Sequence, residues 1–196
     1  SVTGAGDVNN DGFDDVIVGA TGADPGSRTD AGSAYVVLGA ASFAQTMELS
    51  SLNGANGFRL DGATAGDELG LSVSAAGNVN NDNFDDILIG GYGADATGTS
   101  TGMGFILMGD SLSSTRAIDL ANADYRLIGE NLNDYAGKVV SSAGDVDGDG
   151  FPDVVVANQR SDNVTYLRGG AGGLERVGEI AAGSFPSALV RKLPWT

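Results

Sequence analysis

Asp7-Val-Asn9-Asn-Asp11-Gly-Phe13-Asp-Asp15 recurs as Asn78-Val-Asn80-Asn-Asp82-Asn-Phe84-Asp-Asp86 and as Asp145-Val-Asp147-Gly-Asp149-Gly-Phe151-Pro-Asp153. In all three segments carboxylate or amide side chains stand at positions 1, 3, 5 and 9. A hard cation such as Ca2+ takes a shell of carboxylate, amide and backbone oxygens, and a tight loop with alternating ligands supplies several of them from one short segment. The candidate ligands are Asp7, Asn9, Asp11 and Asp15; Asn78, Asn80, Asp82 and Asp86; and Asp145, Asp147, Asp149 and Asp153. The position 7 carbonyls of Phe13, Phe84 and Phe151 join them, and up to three Ca2+ are expected.

The first half of each loop follows the EF-hand pattern, in which a glycine at position 6 makes the sharp turn and position 7 gives its backbone carbonyl. The second half does not. Position 12, where an EF-hand needs a bidentate Glu, is Val18, Ile89 and Val156. Each loop instead enters a β-branched or aliphatic run, Val16-Ile17-Val18, Ile87-Leu88-Ile89 or Val154-Val155-Val156, with the composition of a buried strand. The ion is therefore expected in a turn between strands. Gly12 and Gly150 should take positive φ, which Asn83 tolerates in the same place.

The register extends upstream: Ser1-Val2-Thr3-Gly4-Ala5-Gly6 aligns with Ser72-Val73-Ser74-Ala75-Ala76-Gly77 and with Val139-Val140-Ser141-Ser142-Ala143-Gly144. The loops start at residues 7, 78 and 145, a nearly fixed spacing. A period of this size with several strands per unit marks a blade or solenoid array.

Leu69-Gly70-Leu71-Ser72-Val73, then Gly77-Asn78-Val79-Asn80-Asn81-Asp82, then Asp86-Ile87-Leu88-Ile89-Gly90-Gly91 resembles the FG-GAP repeat of integrin alpha-subunit β-propellers and their bacterial relatives. The third unit is similar, with Tyr135-Ala136-Gly137 in the Phe-Gly position and Ala157-Asn158 in place of Gly-Ala. The first keeps Val18-Gly19-Ala20 and begins inside the Phe-Gly motif, so an upstream segment is expected. Asn163 to Gly170 and Gly183 to Val190 look more like related repeats of bacterial surface proteins.

The expected fold is all-β, built of β-propeller blades, each a four-stranded antiparallel sheet. In the second unit the strands fall at Phe58-Arg59-Leu60, Leu71-Ser72-Val73, Ile87-Leu88-Ile89 and Phe105 to Met108. Tyr125-Arg126-Leu127-Ile128 then restarts the period. Tyr35 to Leu38 and Val164 to Leu167 replace Phe105 to Met108 in the other units. The chain reads as one segment, 1–196, with repeats near 1–56, 57–123 and 124–190 and a tail at 191–196. Propellers close with about four to eight blades. Three FG-GAP-type repeats are thus expected to be part of a larger propeller, joined by further blades from the same or another chain.

Hydrophobic residues make up 41% of the chain and charged residues 18%, with 32 Gly, which suits many short strands and tight turns with little helix. Net charge is -16, from 26 acidic and 10 basic residues, which disfavours nucleic acid as a partner. Three Ca2+ would bring that charge to -10. No apolar run approaches the roughly 20 residues of a membrane-spanning helix, so no membrane insertion is expected. Loops of this open kind bind with dissociation constants on the order of 10⁻⁴ to 10⁻³ M, as in extracellular modules, so an extracellular, secreted or cell-surface location is expected.

With no His and no Cys, Ser-His-Asp, Cys-His and His-ligated zinc chemistry are all excluded within this chain. No catalytic or organic-cofactor residue is selected, and the chain is expected not to be an enzyme. Phe13, Phe84 and Phe151 read as core anchors, Asp14 and Asp85 as solvated charges, and Tyr92, Tyr125 and Trp195 as candidates for a binding face. The family resemblance implies a calcium-binding adhesion or protein-protein interaction module with a protein or glycan ligand on the cell surface or matrix. The alternative is the propeller portion of a secreted polysaccharide-binding or polysaccharide-degrading enzyme.

Overall fold

A computed structural model of the chain describes residues 1–95, 101–112, 117–120 and 123–181. The expected tail 191–196 and Trp195 lie outside the described residues. In chain order the strands are β1 (Val2–Gly6), β2 (Asp15–Ala20), β3 (Ser33–Val37), β4 (Gly57–Asp61), β5 (Leu69–Gly77), β6 (Asp86–Gly91), β7 (Met103–Leu107), β8 (Ala117–Asp119), β9 (Tyr125–Ile128), β10 (Val139–Gly144), β11 (Asp153–Asn158), β12 (Asn163–Arg168) and β13 (Glu175–Ala181). Helix among the described residues is confined to short 3-10 turns, those with full bounds being Pro25–Ser27, Leu49–Ser51 and Gly109–Ser111.

Three antiparallel meanders result: β1-β2-β3-β4, β5-β6-β7-β9 and β10-β11-β12-β13. The first sheet gains a fifth, parallel strand, β8, against β4. The all-β, blade-like architecture expected from the sequence is the one observed.

Sheet and sequence unit are offset by one strand. Phe58 pairs with Val36 and Tyr125 with Ile106. The strand that opens each sequence unit is thus the outer edge of the preceding sheet. The chain then crosses to the first strand of the next sheet, passing close to the preceding sheet at Leu69-Gly70 or Ala136-Gly137. Gly19 and Gly90 make room for that approach: a methyl on either would lie 1.9 or 1.8 Å from the carbonyl oxygen of Gly70 or Gly137.

Each metal-candidate loop joins the first and second strands of its sheet at a bulge. The register slips between Gly4 and Gly6, Ala75 and Gly77, and Ser142 and Gly144, leaving Gly6, Gly77 and Gly144 opposite Asp15, Asp86 and Asp153. All three glycines have φ between 70° and 75°, the left-handed conformation a glycine bulge requires.

The core lies between sheets. Alternation along the second strand sends Ile17 toward the second sheet, Ile87 and Ile89 back against it, Leu88 toward the third, and Val154 and Val156 back again. All six are 0% exposed. The outer faces of the array repeat this chemistry with no cover among the described residues. Val2 is 68% exposed, whereas its counterparts Val73 and Val140 are 7% and 5%, and Val16 is 41% exposed where Ile87 and Val154 are fully buried. At the other end Val155 is only half-buried where Ile17 and Leu88 are sealed.

Candidate metal centres in the inter-strand loops

Four backbone N–H groups, making five hydrogen bonds, hold the side chains of each loop in the same way. The position 5 N–H reaches the position 1 oxygen at 3.0, 3.0 and 3.1 Å in loops one to three, and the position 3 oxygen at 3.2, 3.3 and 3.2 Å. The position 7 N–H reaches the position 5 carboxylate at 2.9, 2.9 and 3.0 Å. The position 9 carboxylate accepts the position 2 N–H, from Val8, Val79 and Val146, at 2.8, 2.8 and 2.7 Å. It also accepts the N–H of the glycine after the third strand, Gly39, Gly109 and Gly169, at 2.6, 2.9 and 3.0 Å. A sixth bond, from Gly12 or Gly150 N–H to the second oxygen of Asp7 or Asp145, is present in loops one and three. Loop two has an amide nitrogen there, on Asn78, which cannot accept it.

Positive φ at position 6, 89° at Gly12, 80° at Asn83 and 94° at Gly150, makes these turns possible. The side chains at positions 1, 3 and 5 are thereby brought together around one point. In loop three the carboxylates of Asp145, Asp147 and Asp149 lie within 4.8 Å of one another, all exposed. Like charges at this spacing repel, and a shared cation turns that repulsion into attraction. In loops one and two an amide softens the problem, as Asn9 and Asn80 donate to the position 5 carboxylates of Asp11 and Asp82 at 2.8 and 2.7 Å. The donor set is all hard oxygen, with carboxylates pre-aimed by backbone N–H groups, and it fits a hard divalent cation.

Position 9 differs from the others. Asp15, Asp86 and Asp153 are 1%, 0% and 0% exposed, and both oxygens of each are taken by backbone donors. Asp153 also accepts the Tyr166 hydroxyl at 3.0 Å and stands outside the Asp145, Asp147, Asp149 cluster. These aspartates staple the loop to the end of the third strand. Burial pushes the Asp86 carboxyl up from 3.8 to about 7, against the opposing bonds from Gly109 and Val79 and with help from Asp82 and Asp85. Burial raises Asp15 as well, opposed by Gly39 and Val8. Tyr166 is pushed up by burial and then by its bond to Asp153. The recurring glycine directly after each third strand, Leu38-Gly39, Met108-Gly109 and Arg168-Gly169, was the sequence signal for this staple.

Two readings of single residues change. The phenylalanines are not core anchors: Phe13 is 42% exposed, and its β-carbon, like those of Phe84 and Phe151, sits against the glycine after the third strand. The valines at position 2 take the core role, Val8 and Val79 at 1% and 0% exposure. Asp85 is not a solvated charge either. Its carboxylate accepts the Asp7 N–H at 2.9 Å, and its own N–H returns to the Asp7 carbonyl at 3.0 Å. Asp14 is exposed, as expected. Arg168, which the sequence did not single out, lies 3.7 Å from Asp147 and 2.7 Å from Glu175.

The sequence matches the FG-GAP repeat family over residues 1–37 and 133–174, the stretches that hold the first and third loops. These are FG-GAP repeats. The FG-GAP chain is also similar to Integrin alpha pat-2 of Caenorhabditis briggsae, 32% identical over 171 residues. That alignment takes in 82% of this chain and 13% of the integrin, so the chain spans a small part of its relative's length. Among the described residues no helix is long and apolar enough to cross a membrane.

Proposed function

We propose that this chain is a calcium-stabilised segment of an extracellular or cell-surface β-propeller that acts in adhesion or protein-protein interaction, without catalysis of its own. The observation that carries this reading is the five-bond scheme repeated in three loops, which pre-aims hard oxygen donors at one point in each. Ca2+ would take the side chains of Asp7, Asn9 and Asp11, of Asn78, Asn80 and Asp82, and of Asp145, Asp147 and Asp149. The carbonyls of Phe13, Phe84 and Phe151 complete each set, with Asp15, Asp86 and Asp153 contributing lone pairs that the backbone donors leave free. The ion's chemistry here is charge compensation and loop rigidity.

Further propeller blades are the nearest partners in this reading. Val2, Val16 and Val18 on one end face, and Ala143, Val146 and Val155 on the other, stand where the inner sheets bury Val73, Ile87, Ile89, Ala76, Val79 and Leu88. A blade of the same type would cover either face with the interface already used twice inside the chain. Likeness to an integrin alpha subunit and the lack of His and Cys support an interaction module over an enzyme.

The test is calorimetric titration of the metal-stripped chain with Ca2+, with thermal unfolding in Ca2+ and in excess chelator. Heat of binding with a higher Tm in Ca2+ is expected. Identical melting curves for verified calcium-loaded and stripped protein would overturn the reading.

A further inference from the structure

At the ends of the second and third sheets opposite the metal loops, a cleft of about 400 Å³ is lined by Tyr92, Tyr135, Lys138, Gln159 and Arg160. We infer that this cleft is a docking site for the carboxylate of an acidic segment on a protein partner, an inference that rests on the interaction-module reading.

Charge is the first observation. The chain holds 26 acidic and 10 basic residues, yet two cations and no acid line this cleft. The Lys138 amine donates to Gln159 Oε1 at 2.8 Å, and sits 6.0 Å from the centre of the Tyr92 ring. The Arg160 guanidinium lies 5.2 Å from the centre of the Tyr135 ring. Among the described residues, neither cation forms an ion pair. Asp134, beside Tyr135 in sequence, is buried with its carboxylate engaged by the Asn131 N–H and the Ser161 hydroxyl, and Asp162, two residues after Arg160, is not among the residues that line the cleft. Guanidinium and ammonium groups held on aromatic faces keep their charge and most of their donors for an outside acceptor.

The fold does not require these side chains. The equivalent junction between the first and second sheets has Thr21, Glu68 and Leu71 where this one has Tyr92, Tyr135 and Lys138, and Gly93 where this one has Arg160. Glu68 and Tyr135 share a φ of 52°, so the turn imposes the left-handed conformation and an aromatic residue is a costly choice there. The cleft is also pre-organised. Lys138 N–H donates to the Tyr135 carbonyl at 3.1 Å and Arg160 N–H to the Asp134 carbonyl at 3.3 Å, while the two rings pack 6.2 Å apart, tilted by 57°. With each ring face carrying a cation, what the cleft offers a ligand is N–H donors, which suits a carboxylate better than an apolar or cationic group.

The experiment is calorimetric titration of the full chain in saturating Ca2+ with a short blocked Glu-Gly-Glu peptide and with its Gln-Gly-Gln counterpart. The acidic peptide should bind and the amide peptide should not. Arg160→Gln and Lys138→Gln should each weaken binding by about tenfold or more, since each removes charge-assisted bonds. Tyr135→Glu should abolish it with folding kept, because the fold already accepts Glu68 at that position. Equal binding of both peptides, equal competition by inorganic phosphate, or binding insensitive to Arg160→Gln, as when the peptide is held through Ca2+ at the distant loops, would overturn the site. A failed peptide titration with intact calcium-dependent melting would leave the interaction-module reading standing.

Discussion

Asp85 in the second loop and Asp7 in the first form a reciprocal pair across the sheet boundary, with the Asp85 carboxylate on the Asp7 N–H at 2.9 Å and the Asp85 N–H on the Asp7 carbonyl at 3.0 Å. The first metal-candidate loop is therefore positioned by its neighbour as well as by its own strands. Gly6 is part of the same contact: a methyl there would fall 2.1 Å from the Asp85 carboxylate. In the third loop Pro152 holds the corresponding place and packs over Gly77, replacing a polar clasp with an apolar one.

Asp85→Ala should therefore destabilise the chain by about 1–3 kcal/mol, because it leaves a partly buried N–H without its acceptor. It should also weaken calcium at the first loop by freeing the Asp7 backbone. Asp14→Ala, at the same loop position with its side chain in solvent, should stay within about 0.5 kcal/mol. Urea denaturation of both variants in Ca2+ makes the comparison, and equal effects would mean that the Asp85 contact contributes nothing.

Calcium removal should lower the melting temperature, since an ion that binds only the folded loops adds about 2.7 kcal/mol per site at a hundredfold excess over Kd. Affinity should follow carboxylate count. Loop three has Asp145, Asp147, Asp149 and Asp153; loop one has Asp7, Asp11 and Asp15; loop two has Asp82 and Asp86. Loop two should empty first as calcium falls, and Asp149→Ala should cost more calcium-dependent stability than Asp82→Ala. Site-resolved titration by NMR, with loop two filling first, would show that preorganisation outweighs charge.

Arg168 works against the third loop. Its guanidinium, 3.7 Å from Asp147, is repelled by an incoming cation, and its counterparts in the other sheets are the uncharged Leu38 and Met108. Arg168→Leu should tighten calcium at loop three by a few-fold at low ionic strength, and less in high salt. Direct titration at two salt concentrations checks this, and unchanged affinity would mean that Arg168 swings away to Glu175 when the ion arrives.

The blades and the oxygen-rich loops were legible in the sequence because both rest on local periodicity: oxygen side chains every second residue, then aliphatic runs of strand length. What was not legible depends on chain segments far apart in sequence. Phe58 opens its sequence unit yet belongs to the sheet before it, because hydrogen bonding to Val36 is decided in space. Asp85 has the look of a surface charge until the first loop is placed beside it. The position 9 aspartates were legible as acids in the motif, but their double backbone bonds come from Gly39, Gly109 and Gly169 on another strand end. Phe13 misled because an aromatic residue in a repeat is more often core than surface, and here the small Val8 fills the inter-sheet space instead.

The uncovered faces give the last prediction, through residues that are equivalent by register and differ only in what lies over them. Val16 and Val154 both follow the position 9 aspartate on their second strands, and Val154 is sealed against the second sheet while Val16 is 41% exposed. Val154→Ala should cost about 2 kcal/mol, the loss of two buried methyl groups plus a small cavity. Val16→Ala should cost a fraction of that in the dilute monomer, where the face is wet on both sides of the unfolding transition. If another blade seats on this face, from a second copy or from a longer chain, Val16→Ala becomes as costly as Val154→Ala. Denaturation of both variants at low and high protein concentration, with sedimentation velocity on the same samples, separates the cases. Equal costs at every concentration, in a sample that sediments as a monomer, would mean that something within the chain already covers Val16, and the end face would not be an interface.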